Sequence, residues 1–269
     1  EISRPLDDIL NEIIELTMIG VQEITLLGQN VNAYRGQSQH NGVCDFATLL
    51  EYVAEINEVK RIRFTTSHPN EMTEELIACF GKINKLSKQF HLPIQSGSDR
   101  VLSAMKRNYT VLEYKSIIKK LKKVCPEISL TSDFIIGFPN ETDEEFNQTK
   151  KIMEEVNFDY SFSFLYSPRP GTPASFIKDN ISKEKKESRL REFQDMNIIQ
   201  GKKHTLNMIG TKQRILIDRE SKRKAGIFLG KTDNNRVIEV DGSSEILNKF
   251  VNVKIKAISE KNLEGIIIS

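Results

Sequence analysis

An alternation of apolar strand-like runs and helical stripes over residues 4–167 constrains this chain more than any other feature. Residues 4–19 place Leu6, Ile9, Leu10, Ile13, Ile14 and Leu16 on one helical stripe. Pro5 suits its first turn, where a missing N–H costs nothing. Gly20 ends that helix, and residues 21–28 follow as a strand with Ile24, Leu26 and Leu27 apolar. The order then repeats. A helix near 46–58 precedes a strand at 60–67, and one or two short helices over 73–80 and 82–87 precede a strand at 90–96. Thr110 with Glu113 and Thr142 with Glu145 have capping-box spacing. They predict helices ahead of strands at 128–139 and 160–167.

Five strands joined by crossover helices should be parallel, and a parallel sheet needs cover on both faces. The fold class is therefore α/β. A complete eight-stranded barrel takes about 250 residues, whereas the repeat here ends near residue 170. An open or partial barrel and a doubly wound sheet both fit. The opening helix lacks the strand that would normally feed it, so one strand is expected to be missing at the front. Glu1-Ile2-Ser3-Arg4-Pro5 carries no methionine, and the chain is read as a piece of something longer.

The pattern changes after residue 181. A polar helix with a weak apolar face is expected over 182–207. Five short strands then fall within 211–218, 223–232, 235–240, 248–259 and 263–269, separated by glycine and Asp/Asn breakers. Such density predicts a small antiparallel β-barrel, an architecture often used to bind oligonucleotides. The expected divisions are thus 1–181, 182–207 and 208–269. From Met208 onward 12 lysines and arginines stand against 8 acidic residues, although the whole chain has a net charge of only +2. A basic end domain favours a polyanion partner, and Lys222-Arg223-Lys224 forms its densest basic run.

Composition closes off several classes. With 38% hydrophobic and 28% charged residues, the chain is too apolar for a disordered segment. No apolar run approaches the roughly 18 residues that suggest a membrane span. Cys44, Cys79 and Cys125 are scattered and odd in number, which gives neither a disulfide framework nor a metal motif. A reducing cytoplasm and no metal site are the expectations.

Ligand sites in parallel sheets lie at the C-terminal strand ends. Those ends read GQNVNAYRG (28–36), TTSHP (65–69), PIQSGSDR (93–100), SDFIIGFPNET (132–142) and YSPRPGTP (166–173). Amides, hydroxyls and glycines converge there with hardly any acid–base group. His68 and His91 do not make a metal cage, and no nucleophile has a placed base. A polar cofactor that carries its own chemistry fits such an edge. Neither a Walker loop nor G-x-G-x-x-G is present, which argues against ATP or NAD. The Gln95-Ser96-Gly97-Ser98 turn offers backbone N–H groups to a carboxylate or hydroxyl, unless it is an ordinary strand-to-helix turn.

Together with FHLPIQSGSDRVLSAMKRNYT, TSDFIIGFPNETDEEF and FSFLYSPRPGTPAS, these loops resemble those of the radical S-adenosylmethionine (SAM) methylthiotransferases. The resemblance covers essentially the whole chain. GQNVNAYRG is similar to the branch acting on isopentenyladenosine beside the anticodon of tRNA, rather than the branch acting on a ribosomal protein. It implies a partial (β/α) radical-SAM barrel missing its first strand, followed by an RNA-binding barrel. Two 4Fe–4S clusters are implied in the full-length protein, their cysteine ligands absent from this chain. Methylthiolation of carbon 2 of the adenine is the implied reaction, with two SAM molecules consumed. tRNA and an electron donor are the implied partners, a monomer is expected, and the chain alone is expected to be inactive. Another adenosine-modifying or protein-modifying branch is one alternative, and a non-catalytic RNA-binding module is another.

Residue by residue, the resemblance implies that Gln29 and Asn30 stand near the methionine end of SAM. Gln95 and Ser96 would face its carboxylate or ribose, and Asp133 its ribose. Ile136 would contact the adenine face, while backbone groups of Leu165 and Tyr166 would read its edge. Tyr34, Arg107 and Arg169 would meet the tRNA near the barrel mouth, and Lys222, Arg223 and Lys224 would hold phosphates. No catalytic residue is assigned.

Overall fold

The computed structural model describes residues 2–38, 42–259 and 262–268. Ser269, the expected end of the last strand, lies outside them. The chain forms two compact units, which meet at Ile198 and Ile199.

In the first unit, helix α1 (Leu6–Met18) starts one residue after Pro5, with Asp7 and Asp8 in the first turn, where the helix dipole favours negative charge. Gly20, at φ +91°, turns the chain into β1 (Glu23–Leu26). A hairpin that the hydrophobic pattern does not announce follows, β2 (Arg35–Ser38) with β3 (Gly42–Asp45). Asp45 then caps α2 (Phe46–Glu55), accepting the Thr48 N–H at 2.8 Å. Next come β4 (Arg61–Phe64) and α3 (Glu74–Lys82). No helix occupies 83–87. Leu86 instead bridges to Ile62, which places that segment beside β4.

Strand β5 is short (Gln89–His91) and leads through Pro93 to the turn at Gln95. Helix α4 (Asp99–Ala104) is capped by Ser98, and α5 (Val111–Val124) by the Thr110–Glu113 capping box. Strand β6 (Ser129–Ile136) precedes α6 (Asp143–Val156), which has the second capping box, Thr142 with Glu145. Strand β7 (Tyr160–Leu165) and the long α7 (Lys183–Leu206) complete the series. The boundary between the units runs through α7, because its first half packs on the first unit through Arg189, Phe193 and Asn197.

All β-pairings between β1 and β4, β5 and β6, and β6 and β7 are parallel, and the sheet does not close. Successive side chains on a strand alternate between faces. One row, including Ile62, Phe90, Leu92, Ile94 and Phe134, is buried with helix residues Leu6, Leu50, Leu121 and Phe193. The other row is polar at Glu23, Arg61, Arg63, Gln89, His91 and Asp133. There Glu23 forms ion pairs with both Arg61 and Arg63.

The second unit is a five-stranded closed barrel in the order β10–β12–β11–β8–β9. Its strands are β8 (Lys212–Glu220), β9 (Ile227–Lys231), β10 (Val237–Asp241), β11 (Phe250–Ile258) and β12 (Leu263–Ile268). Four pairings are antiparallel, and a parallel pairing of β10 with β12 closes the ring. Ile215, Ile217, Phe228, Ile238, Val253 and Ile255 fill its core.

The turn after β5 is held by α6. A Cβ on Gly97 would lie 2.5 Å from the Gln148 carbonyl oxygen, so only glycine allows this contact. Arg100 donates to Glu145 at 2.7 Å and Ser98 at 3.1 Å, and the Arg100 bond holds the Glu145 carboxyl down at about 2. Its ordinary value is 4.5. On acidification the unfolded chain takes up this proton first, so the stabilisation is complete above pH 4.5 and is lost as pH falls towards 2. Glu145→Gln is therefore expected to lower stability at pH 7, with the deficit shrinking between pH 5 and pH 3. Urea unfolding across that range measures it, and a deficit independent of pH would refute the assignment.

Candidate functional site

At the C-terminal ends of β5, β6 and β7 lies a cleft of about 560 Å³. Gln95, Arg107, Asp133, Leu165, Tyr166 and Arg169, six of the residues singled out from sequence, line it together. Ile135, Phe138, Phe164 and Met105 supply its apolar walls.

Backbone pairing explains the convergence. Gln95 adopts φ +74°, a conformation that L side chains rarely take. Its N–H donates to the Asp133 carbonyl at 2.9 Å, and its carbonyl accepts the Ile135 N–H at 2.9 Å. Two hydrogen bonds to one neighbouring strand thus hold a strained residue at the rim, a common signature of binding sites. Beside it, His91 Nε2 stands 3.6 Å from the Asp133 carboxylate, and His91 Nδ1 stands 3.0 Å from the Thr131 hydroxyl. The Tyr166 ring packs edge-on against Phe138 at 5.1 Å.

Other candidates sit elsewhere. Ile136 is fully buried on the helix-facing row, and its place in the cleft is taken by Ile135, because three residues from Asp133 is an odd step on a strand. Ser96 is also fully buried. Its hydroxyl accepts the Ser98 N–H at 3.2 Å, while the Gly97 N–H goes to Thr149 at 3.0 Å. The turn therefore spends those N–H groups inside the protein. Tyr34 is packed in the core and donates its hydroxyl to the Arg4 carbonyl at 3.0 Å. Gln29 is exposed, and Asn30 is half-buried at the end of β1.

The β1 and β4 ends are tied by a residue the motif reading passed over. Asn32 donates to the His68 carbonyl and accepts the His68 N–H, both at 2.9 Å. Thr66 at φ +68° accepts the Val31 N–H at 3.0 Å. The His68 ring then contacts Tyr109 at 5.6 Å.

The Tyr166 hydroxyl, Asn30 Oδ1 and Ser67 Oγ at these strand ends are buried without a hydrogen-bond partner among the described residues. Buried polar groups are normally satisfied, so these atoms are open to a ligand. Thiolate donors are another matter. Cys44, Cys79 and Cys125 are buried and free, and burial pushes Cys79 up to about 11 and raises Cys125. Protonated thiols are poor metal ligands. No group of three His, Cys, Asp or Glu side chains fit to hold a metal occurs among the described residues. The residues present therefore fit a polar organic cofactor but not an iron–sulfur cluster.

The model of the radical SAM superfamily matches residues 1–153. The chain belongs to the radical SAM superfamily. A TRAM domain model matches residues 206–268, which include the closed barrel. Among solved structures, this radical SAM chain is similar to coproporphyrinogen III oxidase from Escherichia coli, at TM-score 0.50 and 19% identity. The match covers 73% of this chain and 45% of that one, and it supports the fold alone. Among curated relatives, the chain is 54% identical over 265 residues to the tRNA-2-methylthio-N(6)-dimethylallyladenosine synthase of Methylobacillus flagellatus. It is 50% identical to that of Nitrosomonas europaea and 49% to that of Actinobacillus pleuropneumoniae. These matches cover 98 to 100% of the chain but only 56 to 60% of each relative's length.

In the TRAM-like barrel, Lys222, Arg223 and Lys224 form the exposed connection between β8 and β9. Lys224 is held by Glu239 at 3.0 Å. A second basic surface lies on the outer rows of β8 and β11. Lys212 stands directly across from Lys254, and Arg214 lies 4.1 Å over the Phe250 ring.

His68 tests the electrostatics of the rim. Burial first, and the Arg107 charge second, hold its pKa below 6.5. Removing the cation in Arg107→Ala is expected to raise it, as followed by NMR titration of the ring protons. An unchanged or lower value would place Arg107 away from His68.

Proposed function

We propose that this chain is the cofactor-binding and RNA-binding part of a tRNA-modifying methylthiotransferase, acting on carbon 2 of isopentenyladenosine beside the anticodon. The observation that carries this reading is the convergence of Gln95, Asp133, Leu165 and Tyr166 on one cleft, in a chain that also bears a basic barrel. Identity of 49 to 54% across nearly the whole chain to synthases of that name supports the substrate. tRNA places the work in the cytoplasm. Among the described residues no helix is long and apolar enough to cross a membrane.

SAM is the cofactor these residues suit, and when bound it supplies both the radical chemistry and the methyl group. Asp133 would accept ribose hydroxyls. The Tyr166 N–H is already committed to the Ile136 carbonyl at 2.9 Å, which leaves the Tyr166 carbonyl to accept from an adenine amine. Leu165 supplies backbone beside it. Gln95 and the unpartnered Asn30 amide oxygen, with Gln29, are available to the amino-acid portion. Ile135 and Phe138 keep water from the ring faces. Arg107 and Arg169 bring positive charge to the rim and suit the RNA backbone. Iron–sulfur clusters and an electron donor belong to the same reading, with cluster thiolates drawn from outside the described residues.

The decisive experiment is mass spectrometry of tRNA nucleosides from a strain deleted for the gene. Loss of the methylthio group with the isopentenyl group retained is expected, and restoration by the intact gene completes it. An unchanged nucleoside profile would overturn the reading. For the cofactor, Asp133→Asn in the intact protein is expected to weaken S-adenosylhomocysteine binding about 10- to 100-fold by calorimetry, as loss of a charge-assisted bond does. Affinity unchanged from the parent in both Asp133→Asn and Gln95→Ala would sink this map.

For RNA, Lys212→Ala and Lys254→Ala should each weaken tRNA binding and reduce the salt slope of log K by about one. Lys224→Ala should do less, because Glu239 already engages that ammonium. Binding measured from 50 to 300 mM salt gives the slopes. Identical slopes in all three variants would remove the β8–β11 face from the footprint.

A further inference from the structure

We propose that the exposed face of β7 is a stacking platform for an unpaired purine of the RNA substrate, with Phe164 as its main ring and Phe162 beside it. The proposal rests on the tRNA reading above and names where in the cleft the target base sits.

Strand parity sets up the platform. Ser161 is buried and its N–H donates to Asn197 of α7 at 3.0 Å, so the 161-163-165 row faces the helices. Tyr160, Phe162 and Phe164 therefore face the opposite side, where they remain 46%, 49% and 54% exposed. A row of three open aromatic rings is unusual on a folded surface and marks a binding face. Tyr160 and Phe162 already pack edge to face at 5.0 Å, which leaves Phe164 as the ring nearest the cleft that it helps to line.

The neighbours select the occupant. Asp133 and Ile135 are the β6 partners of Phe162 and Phe164, and Arg107 and Arg169 share the cleft with Phe164. A purely apolar peptide segment would leave these charged groups facing it without partners. A heteroaromatic base on a phosphodiester satisfies both features at once. The ring offers a π-face to Phe164, and the phosphates offer charge to the arginines. Base–aromatic stacking depends little on base identity, so the platform positions the base without selecting it.

The test uses the intact protein and an anticodon stem-loop RNA with 2-aminopurine at the target position. Stacking on Phe164 should quench the 2-aminopurine on binding. Phe164→Leu keeps the apolar volume but removes the ring plane. It is expected to abolish the quench and weaken stem-loop affinity about 5- to 100-fold. Phe164→Tyr keeps the ring and should preserve both, separating stacking from folding. Hydroxyl-radical footprinting should find Phe162 and Phe164 reactive without RNA and shielded with it. Shielding already complete in the RNA-free protein would mean another protein surface covers the row, and the proposal fails. It also fails if Phe164→Leu alters cofactor binding but not the RNA signals. If the parent protein does not bind the stem-loop at all, the tRNA reading fails first.

Discussion

Every feature of the first unit depends on the two-residue period of its parallel strands. Each strand commits one row of side chains to the helices, and that commitment fixes what the other row can be. Ile62, Phe90 and Phe134 on one side leave Arg61 or Arg63, Gln89 or His91, and Asp133 on the other. The second row is not a core. Its Glu23–Arg61 and Glu23–Arg63 pairs keep charge on a sheet face that an ordinary closed fold would fill with aliphatic side chains. Charged groups are costly to desolvate, so the largely buried Arg61 and Arg63 depend on Glu23 to offset that cost.

Two carboxylates near the start of α6 show how the loops at the rim are secured. Glu145 is bound by Arg100, Ser98 and its own capping partner Thr142, and it stays ionised far into acid. Glu141 is buried, accepts the Gly137 N–H at 3.0 Å, and meets Arg189 of α7 at 3.1 Å, yet burial still raises its pKa. One carboxylate fixes the turn after β5, and the other fixes the turn after β6. Gln95 in the first turn and Asp133 on β6 lie close to these clamps, so the cleft's polar groups stand on a backbone held from behind. Strain at Gln95 is tolerable for that reason: the hydrogen bonds to Asp133 and Ile135 leave it no other conformation.

The order of strands and helices was legible in sequence because caps and periodicity are local. Both capping boxes stand at their expected residues, and the apolar runs mark β1, β4, β6 and β7. The β2–β3 hairpin escaped notice because Arg35–Ser38 and Gly42–Asp45 lack apolar alternation. Parity within β6 was also hidden. Ile135 and Ile136 are chemically identical, and the two-residue period, which puts Ile135 and not Ile136 on the row of Asp133, fixes which one faces the cleft only once the strand's extent is known. The positive φ of Gln95 leaves no trace in residue type. Neither does the pairing of Lys224 with Glu239, which lies across a hairpin and depends on barrel register.

Register also creates a second basic surface that the sequence run does not show. Lys222, Arg223 and Lys224 are adjacent in the chain, but one of them is engaged by Glu239. Lys212 and Lys254 are far apart in sequence and become direct neighbours once β8 pairs with β11. Like charges directly opposite on adjacent strands destabilise a sheet by a few tenths of a kcal/mol. Arg214 over Phe250 in the same strand pair adds a third cation with an aromatic ring beneath it. A barrel alone gains nothing from that repulsion. The Lys212–Lys254 pair is thus a cost in the isolated barrel that register alone creates.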